Sequence, residues 1–570
     1  MINVLGINSA YHEPAACVLQ DGVPVAFAEE ERFNRRKHGK AARVDNADEL
    51  PWQAIGYGLR QAGIEMADVD AIAYSLNPPK RLRNLEAEEP VQSGSWGSRA
   101  GEEQFQRALL RVPSALEDRY GVALRQRFHW VDHHLCHAAS AFLVSPFDEA
   151  AVLAVDGIGE FASAWLGRGR NATLRQIAEI EYPHSLGFLW EKLARFLGFG
   201  EYDACKVMAL AAHGDPKPFA PAFASLVQSN REGKLRLAAD VLRFRSDDFK
   251  PLETLLGPWR NPGDALQPRH ADIAAALQKA TDRALLDLAG ALRRTTGSRR
   301  LCLAGGVALN CVTNRALLES ELFEEIYIQP AAHDAGTALG AALVLWCQQF
   351  GKARAFVLEH PYLGPGCSEA ELLAGLGRCG LPYRRSPDAP AEAAERIAAG
   401  QVVGWFQGRM EAGPRSLGNR SLLADPRRAE MRERLNKTVK HREPFQPFAP
   451  AVLAPRAGDW FRIPGRSRST DFMLFACQVL SEQAGRIPAV VHVDGTSRIQ
   501  TVQAGTNPLF YRLICEFERR TGVPLVLNTS FNDSEPIVCT PEDALRTFRA
   551  TKIDALILGD FVVEHDGNVE

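Results

Sequence analysis

Two copies of one strand–turn–strand pattern place the strongest constraint on how this chain folds. The first copy, residues 2–31, reads INVLGI, the loop NSAYHEP, AACVLQ, the turn DG and VPVAFAEEE. The second copy, residues 150–167, reads AAVLAV, the loop DGIGEF and ASAWLG. An Asp-Gly pair between apolar runs is a strong hairpin signal. The sequence therefore predicts an internal duplication, with two halves that face a cleft and present their hairpin loops to it.

The length of the chain predicts more than one domain. Its 570 residues are too many for a single hydrophobic core. Gly and Pro are dense at 351–368, which is typical of a linker. We therefore place one domain at residues 1–355 and a second at residues 356–570, where helical and strand patterns alternate as in an α/β domain. The charged, partly Gly/Ser-rich stretch 84–128 is predicted to be a surface insertion.

Charge and cysteine content exclude several classes of protein. The net charge of −3 argues against a broad nucleic-acid-binding surface, although a local anion site is compatible with it. No apolar run reaches membrane-spanning length, and no signal peptide is expected. The eleven cysteines form no C-x-x-C pair, which is typical of reduced thiols and excludes a zinc ribbon. We therefore expect a cytoplasmic protein.

Three separated segments carry the residue types of a metal site. HHLCHAASAF contains His133 and His137, which share one face of a helix because they are four residues apart. AVLAVDG and AAHDAGTALGAA each place one aspartate, Asp156 and Asp334, beside an apolar or small-residue stretch. The histidines alone are also compatible with a polar helix face. Two imidazoles and two carboxylates without a thiolate suit a divalent iron, manganese or zinc ion.

Two further segments are typical of nucleotide contacts. A long helical pattern at 268–296 leads into the strand LCLA, which is followed by the pair Gly305 and Gly306 and then Asn310. Backbone N–H groups at such a turn favour phosphate, although an ordinary tight turn has the same pattern. Lys206 follows a glycine-rich stretch, but the G-K-[ST] ending of a P-loop is absent.

A basic segment in the second domain predicts an anion site. Residues 401–450 contain ten Lys/Arg and five Asp/Glu. Arginine forks suit bidentate phosphate binding, although charge runs are usually solvated. LNTSFN adds amide and hydroxyl groups after the strand PLVL, where α/β sheets usually bind ligands. The predicted anion contacts are Arg409, Arg415, Arg420, Lys440, Arg442, Asn528 and Ser530.

Candidate acid–base residues lie in the N-terminal hairpin region. The first loop contains His12, and the following segment EEERFNRRKHG carries Lys37 and His38. Histidine is a suitable general base near neutral pH, but loop histidines are more often simply exposed. The catalytic prediction names His12, Lys37 and Arg415.

Eight motifs occur in order along nearly the whole chain. They are HHLCHAASAF, AVDGIGE, KVMALAAHG, AGGVALN, HDAGTALGAA, GPRSLGNRSLL, PFAP and LNTSFN. Together they resemble the NodU/CmcH-type O-carbamoyltransferases, the family of the tobramycin carbamoyltransferase. The resemblance implies an α/β protein with an actin/hexokinase-like (duplicated ribonuclease H-like) N-terminal domain and a YrdC-like C-terminal domain.

The resemblance also implies a two-step reaction. The C-terminal domain is expected to form carbamoyl-adenylate from carbamoyl phosphate and ATP with Mg²⁺. The N-terminal domain is then expected to transfer the carbamoyl group to a hydroxyl of a small-molecule natural product or sugar. By motif, His133, His137, Asp156 and Asp334 resemble Fe²⁺ ligands, and His12 resembles the residue beside the reacting hydroxyl. Lys206, Gly305, Gly306 and Asn310 resemble adenylate contacts, and Arg415, Lys440, Arg498 and Asn528 resemble carbamoyl phosphate and ATP contacts.

The sequence departs from the family pattern at three positions. Cys205 and Ala209 stand where the family usually has glycine, and Glu13 stands where it more often has aspartate. The first two affect the nucleotide pocket around Lys206, and the third affects the acceptor side.

Other functions are compatible with parts of the sequence. They are a small-molecule kinase of the actin-like superfamily, a tRNA-directed carbamoyl-type transferase, and a non-catalytic nucleotide-binding module. Carbamoyl transfer for hydrogenase cyanide-ligand assembly is disfavoured because those proteins carry paired C-x-x-C motifs. The expected partner is a small-molecule hydroxyl acceptor, with neither membrane nor nucleic acid, and a homodimer is left open.

Overall fold

The computed structural model describes residues 1–81, 91–463 and 468–565. Within these ranges the chain forms two compact units. The first unit contains residues 1–34 and 38–358, and the second contains residues 35–37, 359–463 and 468–565.

Among the described residues, the first unit is built on two five-stranded sheets and a small two-stranded one. Its strands are β1 (Asn3–Asn8), β2 (Ala15–Gln20), β3 (Val23–Glu29), β4 (Ala71–Tyr74), β5 (Phe128–Trp130), β6 (Glu149–Val155), β7 (Ala162–Arg170), β8 (Thr173–Glu181), β9 (Val227–Ser229), β10 (Leu235–Leu237), β11 (Arg300–Ala304) and β12 (Glu325–Ile328).

The two large sheets repeat one topology. The first has the order β3-β2-β1-β4-β5 and the second the order β8-β7-β6-β11-β12. In each, the hairpin strands pair antiparallel. In the first sheet, β4 and β5 run parallel to β1. In the second sheet, β11 and β12 run parallel to β6. The predicted internal duplication is therefore confirmed, and the repeated order agrees with a duplicated ribonuclease H-like domain.

Helices of the first unit cover these sheets. They are α1 (Glu31–Asn34), α2 (Trp52–Ala62), α3 (Pro78–Arg81), α4 (Arg99–Tyr120), α5 (His133–Phe142), α6 (Leu186–Phe196), α7 (Ala204–Ala211), α8 (Ala220–Leu226), α9 (Ala239–Leu242), α10 (Lys250–Leu256), α11 (Pro268–Thr296), α12 (Cys311–Glu319) and α13 (Gly336–Val344). Helix α11 covers the predicted helical segment at 268–296.

Helix α4 corrects the prediction of a surface insertion at 84–128. Its side chains Phe105, Leu109 and Val112 are at most 1% exposed, and they belong to the hydrophobic core around the first sheet. The apolar residues of this helix recur at helical spacing, so one face is buried despite the many charges on the other. Residues 84–90 of the predicted insertion lie outside the described residues.

Helices α5 and α13 approach each other closely at a glycine. A Cβ built on Gly340 would lie 1.8 Å from the carbonyl oxygen of Cys136 and 3.0 Å from the amide nitrogen of Ser140. Both neighbours are backbone atoms, so rotation of a side chain cannot relieve such a clash. Gly340 therefore sets the distance between these two helices.

We expect Gly340→Ala to destabilise the first unit by about 1–3 kcal/mol, because the new methyl group forces the two helix backbones apart. Urea denaturation of the purified variant measures the change. Gly56→Ala is the matched control, since its Cβ would meet only the flexible end of Arg60, at 3.3 Å. Equal stability of the Gly340→Ala variant and the parent protein would contradict the close approach of α5 and α13.

The second unit is a mixed α/β structure. Its strands are β13 (Tyr383–Arg385), β14 (Val403–Phe406), β15 (Arg420–Ala424), β16 (Ala449–Leu453), β17 (Phe461–Arg462), β18 (Ala476–Val479), β19 (Thr496–Arg498), β20 (Gln500–Val502), β21 (Leu525–Ser530), β22 (Ala555–Leu558) and β23 (Phe561–Val563). Its helices are α14 (Glu369–Cys379), α15 (Ala389–Ala398), α16 (Glu430–Leu435), α17 (Ser481–Ala484), α18 (Pro508–Thr521) and α19 (Pro541–Ala550).

The described strands of the second unit form an eight-stranded sheet, β13-β23-β22-β14-β15-β21-β16-β20, and a smaller sheet, β17-β18-β19. Parallel and antiparallel pairs occur in the large sheet. The predicted α/β class of this region is confirmed, and its likeness to the YrdC type stays a prediction. In the part of the chain that the structure covers, every helix is too short or too polar to cross a lipid bilayer.

Candidate metal centre and anion site

Four side chains from three distant segments of the first unit meet at one point. His133 and His137 lie on the buried face of α5, with their Nε2 atoms 3.1 Å apart, and both are fully buried. Asp156 follows the last residue of β6, and Asp334 precedes α13. The close packing of α5 against α13 brings these segments together. The convergence of the four residues predicted as metal ligands is therefore observed.

The distances in this cluster suit one bound cation. The Nε2 atom of His133 lies 3.7 Å from Asp156 Oδ2 and 3.6 Å from Asp334 Oδ1. The Nε2 atom of His137 lies 3.7 Å and 3.5 Å from the same oxygens. All four ligand atoms lie within 4.8 Å of one another. Metal–ligand bonds of about 2.0–2.2 Å in a four-coordinate site separate the ligands by about 3.5 Å, so the residues fit a divalent metal.

Backbone groups orient two of these ligands. The Nδ1 atom of His133 lies 3.0 Å from the carbonyl oxygen of Ser75, to which it can donate, so that Nε2 is left to bind a metal. The amide of Gly306 donates to Asp156 Oδ1 at 2.7 Å, which leaves Oδ2 facing the histidines. Such outer contacts fix ligand direction in metal proteins. Ser75 was not predicted from the sequence, since nothing local distinguishes its carbonyl group.

The electrostatics of the cluster favour a positive charge at its centre. Burial alone would lower the pKa of His133, but Asp334 and Asp156 raise it well above the ordinary value. Burial alone would raise the pKa of Asp156, but the two histidines lower it well below the ordinary value. Without a metal the carboxylates stabilise a proton on imidazole, and a bound cation would displace that proton.

A second layer of buried polar residues holds the loop after Asp156. Arg81 donates to the carbonyl oxygens of Gly159 (3.1 Å) and Glu160 (3.2 Å), and it is held in turn by Glu102. The carboxylate of Glu160 accepts the first amide of α5, that of His133, at 2.9 Å. These contacts link the loop that follows Asp156 to the start of the helix that carries His133 and His137. Sequence reasoning missed them because they join segments that are remote along the chain.

A glycine-containing loop in the second unit presents the predicted arginine Arg415. Glu411 Oε1 accepts the backbone N–H groups of Leu417 and Asn419, each at 2.7 Å, and so folds the loop around its own carboxylate. The tip carries Arg415 and Ser416. Within the described residues, Arg415 Nε and Ser416 Oγ are buried and have no hydrogen-bond partner. Buried polar atoms without partners indicate a ligand or ordered water.

The end of β21 lies beside this loop. Asn528 donates to the carbonyl oxygen of Ser416 at 3.2 Å, while its own Oδ1 is buried without a partner among the described residues. Ser530 lies two residues further along the strand, on the same face. Lys440 Nζ donates to groups of the protein, namely Ser530 Oγ at 3.0 Å, Asn532 Oδ1 at 2.7 Å and the backbone carbonyl oxygens of the same two residues. The structure therefore brings Lys440 and the loop of Arg415 and Ser416 to the end of β21 that carries Asn528 and Ser530.

Lys440 lies among other cations. Burial lowers its pKa well below the ordinary value, and Arg442 and Lys37 lower it further. Lys37, predicted to be catalytic, therefore lies in the second unit near Lys440, whereas His12 belongs to the first unit. An anion bound here would offset this crowding of positive charge.

Three other predicted anion contacts, Arg409, Arg420 and Arg442, bind groups of the protein. Arg409 donates to the backbone carbonyl oxygens of Gly364 at 3.1 Å and Leu363 at 2.5 Å. Arg420 is fully buried, and its guanidinium donates to the carbonyl oxygens of Gln407, Asn419, Pro365 and Gly408. Arg442 donates to Asn436 Oδ1 at 2.7 Å and packs on the ring of Phe448. The structure thus gives these three arginines a role in holding the fold, which the sequence did not predict. Arg498 is half-buried at the end of β19.

Two family matches cover most of the chain. Residues 3–343 match the family described as Carbamoyltransferase N-terminus, and residues 394–565 match Carbamoyltransferase C-terminus. The chain belongs to the carbamoyltransferase family. The eight sequence motifs therefore predicted the family of this carbamoyltransferase correctly.

Relatives match this carbamoyltransferase over nearly its whole length. An uncharacterised protein of Synechocystis is 38% identical over 99% of this chain and 97% of its own length. Nodulation protein NolNO of Sinorhizobium fredii is 38% identical over 98% of this chain and 79% of its own. Component A of the (R)-2-hydroxyglutaryl-CoA dehydratase of Acidaminococcus fermentans aligns over 62% of this chain and 100% of its own, with 16% identity and a TM-score of 0.34. A TM-score this low supports no statement about the fold, which is therefore inferred from the strand order.

The predicted nucleotide contacts of the carbamoyltransferase lie in the first unit. Gly305 has a φ of 87°, and a Cβ there would lie 2.1 Å from the carbonyl oxygen of Val155, so only glycine fits. Gly306 uses its amide to hold Asp156, as described above. The side chain of Asn310 accepts two amides at the start of α12. Lys206 forms an ion pair with Asp203 at 3.1 Å. Their roles as nucleotide contacts stay predictions.

Proposed function

We propose that this carbamoyltransferase forms carbamoyl-adenylate from carbamoyl phosphate and ATP, and then transfers the carbamoyl group to a hydroxyl of a small natural product or sugar. The observation that carries the proposal is a group of three buried polar atoms near the end of β21, Arg415 Nε, Ser416 Oγ and Asn528 Oδ1, which have no hydrogen-bond partner among the described residues. Together they offer two kinds of donor and one amide acceptor. A small molecule with anionic oxygens and an NH₂ group, such as carbamoyl phosphate, complements that set.

The anion site is suited to the first step. Water cleaves carbamoyl phosphate to carbamate and phosphate, a carbamate oxygen then attacks the α-phosphorus of ATP, and pyrophosphate leaves. Two polyanions must bind side by side, and the cations Arg415, Lys440 and Arg498 would offset their repulsion. Asn528 and Ser530 would bind the carbamoyl amide. Arg420 and Arg442 would hold the loop and the turn on which this site depends.

The metal cluster and its loops are suited to the second step. The acceptor oxygen attacks the carbamoyl carbon, the bond to the phosphate oxygen breaks, and AMP leaves. A divalent metal held by His133, His137, Asp156 and Asp334 would supply Lewis-acid stabilisation of the charge on that phosphate. Gly305 and Gly306 lie beside these ligands and would bind the nucleotide. His12 is one of the groups that lower the pKa of Asp334. It would contact the acceptor.

Product analysis tests the proposal. The purified protein is incubated with carbamoyl phosphate, ATP, Mg²⁺ and a panel of hydroxylated natural products and sugars. We expect AMP and pyrophosphate, together with a product heavier by one carbamoyl group in mass spectrometry. Formation of ADP, with phosphate on the acceptor, would replace the proposal by a kinase activity. Carbamoylation without any AMP would exclude the adenylate.

A further inference from the structure

A histidine outside the predicted set forms a dyad with Glu13. His38 Nδ1 lies 2.9 Å from Glu13 Oε1. The backbone repeats the pairing, since the Glu13 amide donates to the His38 carbonyl oxygen at 2.8 Å. Both residues have positive φ, 54° for Glu13 and 62° for His38. Non-glycine residues in this region are strained, and two of them held face to face indicate a function.

The dyad leaves one ring nitrogen of His38 available. The carboxylate of Glu13 accepts a hydrogen bond from the Nδ1–H group of His38, so in the neutral ring Nε2 carries the lone pair. Across the described parts of the chain, Nε2 has no hydrogen-bond partner, and the side chain is 31% exposed. The ring packs on Tyr202 with a centroid distance of 4.4 Å, and Tyr202 packs on His12 at 5.2 Å. His38 is therefore an oriented, accessible base in the loop cluster that contains His12.

We propose that His38 is the general base of the transfer step and that Glu13 is its positioning residue. The proposal rests on the proposed function, because it assigns the acceptor's proton in that reaction. His38 Nε2 takes the proton of the acceptor hydroxyl as the acceptor oxygen bonds to the carbamoyl carbon. The bond from that carbon to the phosphate oxygen breaks, and AMP leaves with the electron pair. His38 then returns its proton to solvent.

His38 suits this role better than His12 does. A nucleophile-activating base is usually oriented by a third group, and Glu13 provides that group for His38. His12 Nδ1 is buried without a partner among the described residues. Glu13 is itself held, because His333 Nδ1 lies 2.5 Å from its other carboxylate oxygen. Burial alone would raise the pKa of Glu13, but His333 and His38 lower it well below the ordinary value, so the carboxylate stays ionised.

The charges around His38 predict a pH dependence. Burial alone would lower its pKa, but Glu13, and to a smaller extent Glu31, raise it above the ordinary value, against the charge of His333. The ring of Tyr202 faces it as a neutral group. The base must be unprotonated, so transfer should increase as pH rises through this pKa. Glu13→Gln removes the contact that contributes most to raising the pKa of His38. It should therefore shift the rising part of the pH–rate profile of transfer to lower pH and reduce the maximal rate.

The experiment separates the two steps in the full-length protein. Radiolabelled carbamoyl phosphate and ATP are mixed with excess enzyme, and water and glycerol serve as the hydroxyl probes. Pyrophosphate release reports adenylation, and carbamoyl release or carbamoyl-glycerol reports transfer. His38→Gly suits the positive φ and leaves space for imidazole. We expect unchanged pyrophosphate release, a fall in transfer of about 10²–10⁴-fold, and recovery with added imidazole.

Further variants exclude a structural explanation. His38→Asn tolerates the same backbone conformation and should lose transfer without recovery by imidazole. Asn171→Gly changes another non-glycine residue of positive φ, 52°, and should behave as the parent protein. The assignment would be overturned if the parent protein and the His38 variants transferred the carbamoyl group at the same rate, whatever that rate is. Loss of pyrophosphate release in both His38 variants would also overturn it. A parent protein that releases no pyrophosphate would instead overturn the proposed function, and the base assignment with it.

Discussion

Arg415→Ala is expected to abolish adenylate formation, with pyrophosphate release falling about 10³-fold or more. The Nε atom of Arg415 is buried and has no partner among the described residues, so this N–H donor is available to an anion. The loop that carries it is fixed by Glu411, whose carboxylate accepts three backbone amides. Arg420 cannot easily replace it, since both terminal nitrogens of its guanidinium already donate to backbone carbonyl groups. Carbamoyl-phosphate-dependent release of pyrophosphate from ATP measures the effect.

Two further variants test the chemistry of the Arg415 effect. Arg415→Lys keeps the charge but loses the bidentate fork, so it should retain only part of the activity. Arg428→Ala removes an arginine of the same unit whose side chain is 44% exposed, and should leave the activity unchanged. Normal pyrophosphate release by a folded Arg415→Ala protein would show that the anion site lies elsewhere.

His137→Ala is expected to lose both the metal and carbamoyl transfer while adenylate formation continues. One of four ligands disappears, and a buried cavity with two carboxylates and one imidazole remains. Loss of several kcal/mol of charge stabilisation predicts a fall in transfer of about 10²–10³-fold. Metal content by mass spectrometry, pyrophosphate release and carbamoyl transfer are measured on the same preparation.

The neighbouring residue His134 provides the control for His137. It lies on the same helix, is 2% exposed, and its ring centroid is 5.9 Å from that of His137. It does not belong to the cluster of four ligand atoms. His134→Ala should therefore remove a buried imidazole and keep the metal. Stoichiometric metal in the His137→Ala protein would contradict the proposed ligand set.

Local sequence patterns predicted the elements of the first unit well. The Asp-Gly turn and the flanking apolar runs correctly predicted the first hairpin, and the second copy predicted its repeat. Helix α11 was predicted from periodicity and α5 from the His133–His137 spacing. These predictions hold because turn type and helix face depend on residues a few positions apart. Helix α4 was the exception, since its many charges concealed the apolar face that packs on the core.

The sites were only partly predictable from the sequence. The metal cluster was predicted because histidine and aspartate carry their chemistry in their residue type. The roles of Arg415 and Arg420 were not distinguished, because the sequence shows two arginines and not the carbonyl groups that Arg420 binds. The Glu13–His38 dyad was missed for a similar reason, since its pairing depends on two strained loop residues that meet in space.

The sequence by itself determined the hairpins, the helix that presents His133 and His137, and the residue types that a metal or an anion requires. The tertiary structure alone decided that Asp156 and Asp334 reach those histidines and that Glu13 orients His38. The physical reason is the range of each interaction. Backbone conformation is set by near neighbours, whereas a buried polar side chain pairs with whatever distant group the packing of helices and sheets places within about 3 Å.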